Sequence, residues 1–347
     1  MEIFFTMIVF CIVLFIYIHV FFHFKTSNDL EVYDIDVPSK EKLEELCDLR
    51  QPITMKLNLN DILNTFNRHN IAKNYGAFDI NIRNSEKLLN DEEKFVVLTY
   101  NTGIQLFNEK NEKNSYYSEN NKQFLEETSL IKTLQNNDAL LRPYMVSSCN
   151  YDIMNASEET TTVLKYDVSY RNYLYVTEGE ITIKLTPPHN SKYLFKENDY
   201  EMFEFRSVIN PWKIQEKYKH NFEKVKFLEL TIQRGSIIYI PAYWWYSFKF
   251  GKDTTVVAFN YKTYMNIISL TPQLGIHYLQ TLNIKFKTEN VLTNFTKKET
   301  LSGNISNDNQ SPQQAPQQAI IDLEDINKIN NLNNEINEIK SIDISNN

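Results

Sequence analysis

The sequence predicts a mainly-β protein, a barrel or jelly roll with flanking helices, that follows one N-terminal membrane-spanning helix. Three observations lead to this prediction. Residues 3–22 are almost continuously apolar. From Thr161 onward apolar residues recur with a period of two, which is typical of strands whose two faces meet different surroundings. Gly179, Gly235 and Gly251 each fall between strand-like blocks, where turns favour glycine.

The N-terminal apolar segment has only Thr6 and His19 as polar members between residues 3 and 22. Its length matches the roughly 20 helical residues that cross a bilayer. A cleavable signal peptide would have a basic start, a shorter apolar core and a small-residue cleavage site, which this segment lacks. We therefore predict an uncleaved, single-pass membrane anchor within residues 1–25. Lys25 places the following domain in the cytoplasm by the positive-inside rule.

The region between the anchor and the strands has a mixed pattern. The stretch KEKLEELCDLR after Ser39 is amphipathic and ends before Pro52, so we predict a helix there. A second helix is predicted at residues 61–67 and a strand at residues 95–100. The polar run NEKNEKNSYYSENNK, which begins at Asn108, is predicted to be a solvated insertion loop.

Eight strand-like blocks carry the prediction of a barrel. In chain order they are TVLKYDV, RNYLYVT, EITIKLT, YEMFEFRS, KFLELTIQ, SIIYIP, WWYSFKF and TTVVAFNY. The segment LTPQLGIHYLQTLN after them is predicted to be helical. Residues 302–347 are rich in Asn, Gln and Ser, and we predict a disordered tail there. Four apolar residues at heptad spacing within the tail indicate a possible helix that binds a protein partner: Ile329, Leu332, Ile336 and Ile339.

Composition excludes several classes of function. The formal net charge of −8 repels polyphosphate, so nucleic acid is not expected as a partner. The chain has no glycine-rich phosphate-binding sequence. Cys11, Cys47 and Cys149 are too widely spaced for a metal knuckle or a disulfide framework, which favours a reducing compartment.

Two longer segments resemble a known family. GSIIYIPAYWWYSFKF, from Gly235, and RNYLYVTEGEITIKLTPP, from Arg171, are similar to the strand pairs of JmjC-like cupins. The likeness is to the cupin-like group that includes asparaginyl-hydroxylase-like 2-oxoglutarate oxygenases and uncharacterised relatives in large DNA viruses. It implies a double-stranded β-helix, the jelly roll of cupins, over residues 37–280.

The resemblance also implies a metal site, and this chain departs from its pattern. Active members hold Fe(II) with a His-x-Asp/Glu pair on one strand and a histidine on a later strand. The matching positions here are Lys165, Asp167 and Tyr246. A protonated lysine has no lone pair to donate, and a neutral tyrosine is a poor ligand for ferrous iron. We therefore expect no metal, no cofactor and no catalytic residues at these degenerate positions.

The co-substrate site of the resembling hydroxylase is altered as well. The position of its 2-oxoglutarate-binding lysine falls on Ile181, while Lys184, three residues later, is predicted to face the other side of the strand. Asn172 and Asn260 match polar positions that line the pocket. Each of them could contact a ligand or make a structural hydrogen bond in the barrel.

The loss of the metal raises the question of what replaces it. Lys165 and Asp167 are two residues apart on a predicted strand, so both are expected to point into the barrel. A buried carboxylate needs a compensating charge. We therefore predict that Lys165 takes the place of the lost cation as the counter-ion of Asp167.

Three functions remain open from the sequence. The first is a membrane-anchored cupin-like protein whose barrel is a non-catalytic binding or scaffolding module. The second is an atypical 2-oxoglutarate-dependent hydroxylase, in which Asp167 and a residue from the 60–160 region complete an iron site. The third is a structural membrane protein that acts through its tail. Iron content and 2-oxoglutarate consumption separate the first two.

Overall fold

The computed structural model of the protein describes residues 2–85, 95–109 and 115–283. The helices in this part of the chain are α1 (Glu2–Phe24), α2 (Lys40–Cys47), α3 (Asn60–Thr65), α4 (Arg68–Tyr75), α5 (Tyr100–Asn108), α6 (Lys122–Glu127), α7 (Ile131–Asn137), α8 (Glu216–Phe222) and α9 (Tyr264–Ser269). Residues 271–283 are helical as well, and Pro188–Tyr193 forms a 3-10 helix.

The strands are β1 (Tyr33–Ile35), β2 (Ile53–Lys56), β3 (Asp79–Asn84), β4 (Val96–Thr99), β5 (Tyr116–Ser118), β6 (Val146–Ala156), β7 (Lys165–Tyr166), β8 (Arg171–Glu178), β9 (Glu180–Thr186), β10 (Lys196–Asp199), β11 (Glu204–Ser207), β12 (Leu228–Gln233), β13 (Ser236–Ile240), β14 (Trp245–Phe250) and β15 (Thr255–Thr263). They form a nine-stranded sheet, in the order β1-β2-β13-β8-β15-β6-β5-β3-β4, and a six-stranded sheet, in the order β10-β11-β7-β14-β9-β12.

The two sheets face each other as in a jelly roll, which confirms the predicted fold class. Every pairing among the described strands is antiparallel except the parallel pair of β1 and β2. Alternate residues of each strand point to opposite faces, so one strand contributes to two cores. On β8, Leu174 and Val176 belong to the core between the sheets, whereas Tyr173 and Tyr175 belong to the core under the helices.

Helices α2 to α7 cover the outer face of the nine-stranded sheet. Buried residues from these helices, among them Leu43, Ile62 and Phe124, form one apolar cluster with Tyr173 of the sheet. Helix α2 begins where Ser39 accepts a hydrogen bond from the Lys42 amide at 3.3 Å. Such a cap satisfies a backbone donor that the first turn leaves unpaired. The predicted helix after Ser39 is thus confirmed.

Helix α1 projects from the domain. Residues 2–18 are exposed along its whole circumference, and only positions in its last two turns are shielded. The helix is long and apolar enough to cross a membrane. A signal sequence near the N-terminus can pass the same test of length and hydropathy, so this test alone does not establish an anchor.

Most of the predicted strands and helices are found in the structure. The blocks from Arg171 onward form β8, β9, β12, β13, β14 and β15, and the predicted segments near residues 61–67 and 95–100 correspond to α3 and β4. The helix predicted after Asn260 corresponds to residues 271–283. The tail at 302–347 and its possible partner helix lie outside the described residues.

Two predicted strand blocks are shorter than expected. TVLKYDV contributes only β7, because the Thr162 amide bonds to Phe248 of β14 while the Leu164 amide bonds to Ile209. This change of partner interrupts a regular ladder. In YEMFEFRS only β11 is a strand, since the Asp199 side chain accepts hydrogen bonds from the Glu201 and Met202 amides at 2.9 and 3.1 Å and turns the chain.

The polar run that begins at Asn108 was wrongly predicted to be a solvated loop throughout. Its second half forms β5 and the start of α6, and Tyr117, Glu119 and Asn121 are buried there. The longest strand, β6, was not predicted at all. Its polar residues, such as Asp152 and Asn155, point into the protein and hide the period of two.

Candidate functional site

The residues that the sequence singles out gather at one end of the space between the sheets, which we call the barrel mouth. Lys165 and Asp167 lie on or next to β7, Tyr246 lies on β14, Asn172 on β8 and Asn260 on β15. The other end of this space is filled by apolar side chains of the core. The mouth is therefore the polar part of an otherwise apolar interior.

Lys165 lies between two side chains on neighbouring strands. Its direct cross-strand partners are Arg206 on β11 and Tyr246 on β14. Two cations side by side on one face of a sheet repel each other, so this pair needs an anion. The structure places that anion directly after a strand of the other sheet.

Glu119, next to the end of β5, supplies the anion. One carboxylate oxygen lies 2.5 Å from Lys165 Nζ, and the other lies 2.8 Å from Arg206 Nη2 and 3.1 Å from Arg83 Nε. The Glu119 side chain is only 3% exposed, so these contacts are shielded from solvent. One buried carboxylate therefore holds three cations together.

A second carboxylate completes the network. Glu204 lies 2.7 Å from Arg83 Nη2 and 2.6 Å from Arg206 Nη2, and it accepts a hydrogen bond from the Asn120 side chain at 2.6 Å. We call the five ionised side chains of this network the charge cluster: Arg83, Glu119, Lys165, Glu204 and Arg206. Three cations against two carboxylates leave the cluster with one formal positive charge.

The pKa of Glu119 reports how strongly the cluster is coupled. Burial by itself would raise this pKa, but the charges of Lys165, Arg83 and Arg206 lower it well below its usual range. Burial would likewise lower the pKa of Arg206, yet the Glu119 carboxylate raises it. Glu119 is therefore ionised throughout the physiological range.

Asp152 on β6 lies beside the charge cluster, but its pKa is raised, whereas that of Glu119 is lowered. It accepts backbone hydrogen bonds from Asn120 at 2.8 Å, Asn121 at 2.6 Å and Ile153 at 2.8 Å. Burial, together with the nearby Glu119 carboxylate, nevertheless raises the pKa of Asp152 to about 6. Asp152 is the carboxyl group of the mouth that changes protonation near neutral pH.

Asp167 is not paired with Lys165, so the prediction that Lys165 is its counter-ion was wrong. Its carboxylate accepts a hydrogen bond from the Ser169 amide at 2.6 Å and one from the Asn260 side chain at 2.9 Å. These neutral donors stabilise the charge of Asp167, while the Lys165 ammonium is held by Glu119.

Asn172 and Asn260 form structural hydrogen bonds. The Asn260 amide group donates to Asn172 Oδ1 at 2.9 Å, and Asn172 in turn donates to the backbone oxygens of Ser169 and Ile240 at 3.2 and 3.3 Å. Asp167 and the two asparagines therefore make one hydrogen-bonded chain across β8 and β15. Of the two alternatives for the asparagines, the contacts correspond to the structural one.

Tyr246 is buried against the charge cluster. The Lys165 ammonium lies 5.7 Å from the centre of its ring, within the range of a cation–π contact. Burial raises the pKa of Tyr246 well above its usual value, and the charges of Asp167 and Glu119 raise it further. The phenol is therefore neutral and has no phenolate oxygen to offer a cation.

The side chains of Lys165, Asp167 and Tyr246, which the sequence resemblance matches to ligand positions, do not fit a ferrous ion. Lys165 is a cation, Tyr246 is a neutral phenol, and the two oxygens of Asp167 already accept hydrogen bonds. Among the residues that the structure describes, no group of three or more His, Cys, Asp or Glu side chains is placed to hold a metal ion. His69 and His189 are exposed on the surface.

Ile181 and Lys184 point to opposite faces of β9, as the strand pattern predicted. Ile181 is fully buried in the core between the sheets. Lys184 points to the opposite face of β9, where its Nζ lies 3.7 Å from Glu229 and 4.2 Å from the centre of the Trp212 ring. Neither side chain provides a cation inside the barrel at that position.

Sequence reasoning did not find Glu119, Arg83, Glu204, Arg206 or Asp152 as members of the site. Two local signals were present. Glu204 and Arg206 are two residues apart in a predicted strand and therefore share a face. Tyr117 and Glu119 are also two residues apart, within SYYSE, and would share a face if this segment were a strand. The polar composition around them favoured the prediction of a loop instead.

Comparison with known proteins identifies the fold but no individual relative. A family model described as a cupin-like domain matches residues 67–266. These residues include β3 to β15 and every member of the charge cluster. A search of curated proteins finds no match to the chain.

Proposed function

Because the chain belongs to the cupin-like domain family, we propose that it is a membrane-anchored, non-catalytic binding or scaffolding module, derived from a 2-oxoglutarate/Fe(II) oxygenase. The observation that carries this proposal is the charge cluster. The Lys165 ammonium occupies a position where the family pattern has a histidine ligand, and Glu119 holds it there at 2.5 Å. A bound divalent cation would face this ammonium at short range.

Metal binding would compete with contacts that Lys165 and Asp167 already make. Metal binding at these positions would require Lys165 to leave Glu119 and Asp167 to lose its contacts with Asn260 and Ser169. Breaking a buried ion pair costs about 3–5 kcal/mol when one partner is left without compensation. Only one carboxylate of the original ligand pattern would offset that cost.

Helix α1 supports the membrane part of the proposal. Residues 2–18, which are apolar except for Glu2 and Thr6, are exposed to solvent in the isolated chain, and a bilayer would remove their apolar surface from water. The last turn packs against the domain, with the His23 ring 5.1 Å from the ring of Tyr170. The proposal places the domain on the cytoplasmic side, as Lys25 favours.

One observation favours the alternative of an atypical hydroxylase. Glu119 and Asp152 both come from the 60–160 region, and both lie close enough to Tyr246 to raise its pKa. They could join Asp167 in an all-carboxylate site. Glu119, however, is bound to three cations, and Asp152 is bound to three backbone amides.

The deciding experiment measures iron and turnover on the full chain in detergent. After anaerobic loading with Fe(II) and removal of free metal, we expect far less than one iron per chain and no 2-oxoglutarate consumption. The variant carrying both Lys165→His and Tyr246→His restores the family's two imidazoles next to Asp167, so it is expected to retain more divalent metal.

Stoichiometric iron with 2-oxoglutarate turnover in the unmodified chain would contradict the proposal and favour the hydroxylase. A doubly substituted chain that folds, as judged by its thermal transition, and yet retains no more metal would contradict the match of these residues to the family's ligand positions.

A further inference from the structure

The end of helix α1 and the domain meet without a free linker between them. His23 is buried, and the Phe24 ring lies 6.3 Å from the ring of Tyr243, which precedes β14. Phe22 lies over the Arg50 guanidinium, 5.1 Å from its central carbon to the ring centre. The surface around these contacts therefore lies at the level where a membrane-spanning α1 leaves the bilayer.

A small cavity opens at this place, and we call it the junction pocket. It has a volume of about 230 Å³. Phe24 and Thr26 line it from the end of the anchor, Tyr166 and Tyr243 form an aromatic part of its wall, and Lys196 contributes a cation. The volume is below the roughly 300–1,000 Å³ typical of sites for whole small molecules. It suits a compact group such as a phosphate with the adjoining part of a glycerol.

Lys196 is a cation without an anion. Its ammonium lies 4.9 Å from the centre of the Tyr166 ring, and it forms no ion pair with any residue that the structure describes. Lys196 is exposed at the edge of the junction pocket; its partial burial there lowers its pKa, and no nearby carboxylate raises it again. An anion in the junction pocket would supply the missing charge.

Two further side chains at the junction, those of Tyr243 and Arg50, carry donor groups that lack a hydrogen-bond partner. The Tyr243 hydroxyl is buried and makes no hydrogen bond within the protein. Arg50 is 2% exposed, and its Nε and Nη2 atoms also have no hydrogen-bond partner. The guanidinium of Arg50 packs between the rings of Phe22 and Tyr170 and is close enough to Tyr243 for its charge to act on the phenol. Buried donors without acceptors are costly, so the Tyr243 hydroxyl, which lines the pocket, favours an acceptor-rich group there. Arg50 does not line the pocket, but its charge acts on Tyr243 and favours an anion beside it.

We propose that the junction pocket binds the phosphate group of an anionic membrane phospholipid, with Lys196 as the charged ligand and the Tyr243 hydroxyl as a hydrogen-bond donor. This inference rests on the membrane anchor of the proposed function. A phospholipid of the leaflet next to Phe24 is held at high local concentration and carries its acyl chains alongside α1. The anionic cytoplasmic leaflet also attracts basic side chains near the membrane surface.

The test titrates the full chain in a neutral detergent with dioleoyl phosphatidic acid and counts bound lipid by native mass spectrometry. Dioleoyl phosphatidylcholine and inorganic phosphate are the comparison ligands. We expect phosphatidic acid to bind at least about tenfold more tightly than phosphatidylcholine, because its phosphomonoester carries more negative charge, whereas the single negative charge of the phosphatidylcholine phosphodiester is offset by its own choline. Inorganic phosphate is expected not to displace it at equal concentration.

Lys196→Gln is expected to weaken phosphatidic acid binding about tenfold, and Tyr243→Phe to weaken it by a smaller factor. Lys192→Gln is the matched control. Lys192 also lies 4.9 Å from a tyrosine ring, that of Tyr193, but it does not line the pocket. Its substitution is expected to change the affinity less than twofold.

Equal losses for Lys196→Gln and Lys192→Gln would overturn the inference, since they would indicate unspecific attraction by surface charge. Displacement of the lipid by an equal concentration of inorganic phosphate would overturn the lipid as ligand. The same spectra report the intact mass. A chain that has lost about its first 25 residues would contradict the anchor itself, whereas a full-length chain without lipid selectivity would contradict only the junction pocket.

Discussion

Glu119 decides the chemistry of the barrel mouth at the scale of single residues. Its carboxylate pairs with Lys165, Arg83 and Arg206, so the loss of this one charge leaves the buried Arg83 and the half-buried Lys165 and Arg206 without their shared anion. A buried ion network stabilises a fold only when every member keeps its partners. The cluster is therefore expected to behave as one unit when any member is substituted.

A double-mutant cycle measures this coupling. Lys165→Met and Glu119→Gln are each expected to lower the free energy of unfolding. Their combination is expected to lower it by less than the sum, with a coupling of about 1–3 kcal/mol, because the residues are in direct contact. Urea unfolding of the four proteins gives the value.

Lys165→Met with Asp167→Asn is the matched control cycle. These two residues are not paired, so their effects are expected to add within about 0.5 kcal/mol. If Asp167→Asn rescued Lys165→Met while Glu119→Gln did not, Lys165 would be the counter-ion of Asp167 after all.

The titration of Asp152 is expected to make the stability of the folded protein depend on pH. Its pKa is raised from 3.8 to about 6, so the folded state binds the proton more tightly than the unfolded state. The stability that this proton contributes is fully present below about pH 4 and is lost as the pH rises through about 6. The direction is opposite to that of Glu119, whose lowered pKa makes the folded state lose stability in acid.

Asp152→Asn removes this titration and keeps an oxygen that can accept from the Asn121 and Ile153 amides. The unfolding free energy of the unmodified chain minus that of the variant is expected to fall by about 3 kcal/mol from pH 4 to above pH 6. Urea titrations at several pH values provide the difference. A constant difference over this range would show that folding does not raise the pKa of Asp152.

At the scale of elements, the turn between β8 and β9 depends on Gly179. Its φ angle is +67°, and a Cβ atom built there would lie 2.6 Å from the Lys252 backbone oxygen and 2.9 Å from the Thr254 Cα. Gly235, between β12 and β13, has a φ angle of +80° but no atom within 4 Å of such a Cβ. The two glycines share a backbone conformation and differ in the space around them.

Gly179→Ala is therefore expected to be more destabilising than Gly235→Ala. The positive φ angle costs either alanine roughly 1–2 kcal/mol. Gly179→Ala adds a clash with backbone atoms that are not free to move. Thermal unfolding of both variants checks the order, and equal transition temperatures would mean that the hairpin relaxes to accommodate the methyl group.

At the scale of the whole molecule, α1 and the domain are joined through packed side chains. Phe22 and His23 cover Arg50 and Tyr170. Removal of the anchor by a peptidase near residue 25 would uncover this surface. The packing therefore links the membrane segment to the stability of the domain, which a flexible linker would not do.

The full-length chain is expected to resist extraction from membranes at alkaline pH and to retain Met1, because α1 stays in the bilayer. Its domain is expected to be digested by protease added to the cytoplasmic side. Intact mass and protease accessibility provide the measurements. A mature chain that begins near residue 25 would mean that α1 is a cleaved signal sequence.

Local periodicity determined what the sequence by itself revealed. The apolar run of α1 and the period of two in β8, β9, β13, β14 and β15 depend on residues a few positions apart, so both could be predicted. The family resemblance led to the choice of Lys165, Asp167 and Tyr246 as site residues, because the strand segments around them have recognisable sequences. The local pattern also indicated that Ile181 and Lys184 face opposite sides of β9.

Only the tertiary structure decided which charges meet. Glu119 pairs with Lys165, 46 residues away, and with Arg206, 87 residues away. Asp167, only two residues from Lys165, instead accepts from Asn260, 93 residues away. A sequence pattern gives the face of a strand but not which strands become neighbours. Coulomb interactions depend on distances of a few ångströms, which follow from that choice of neighbours.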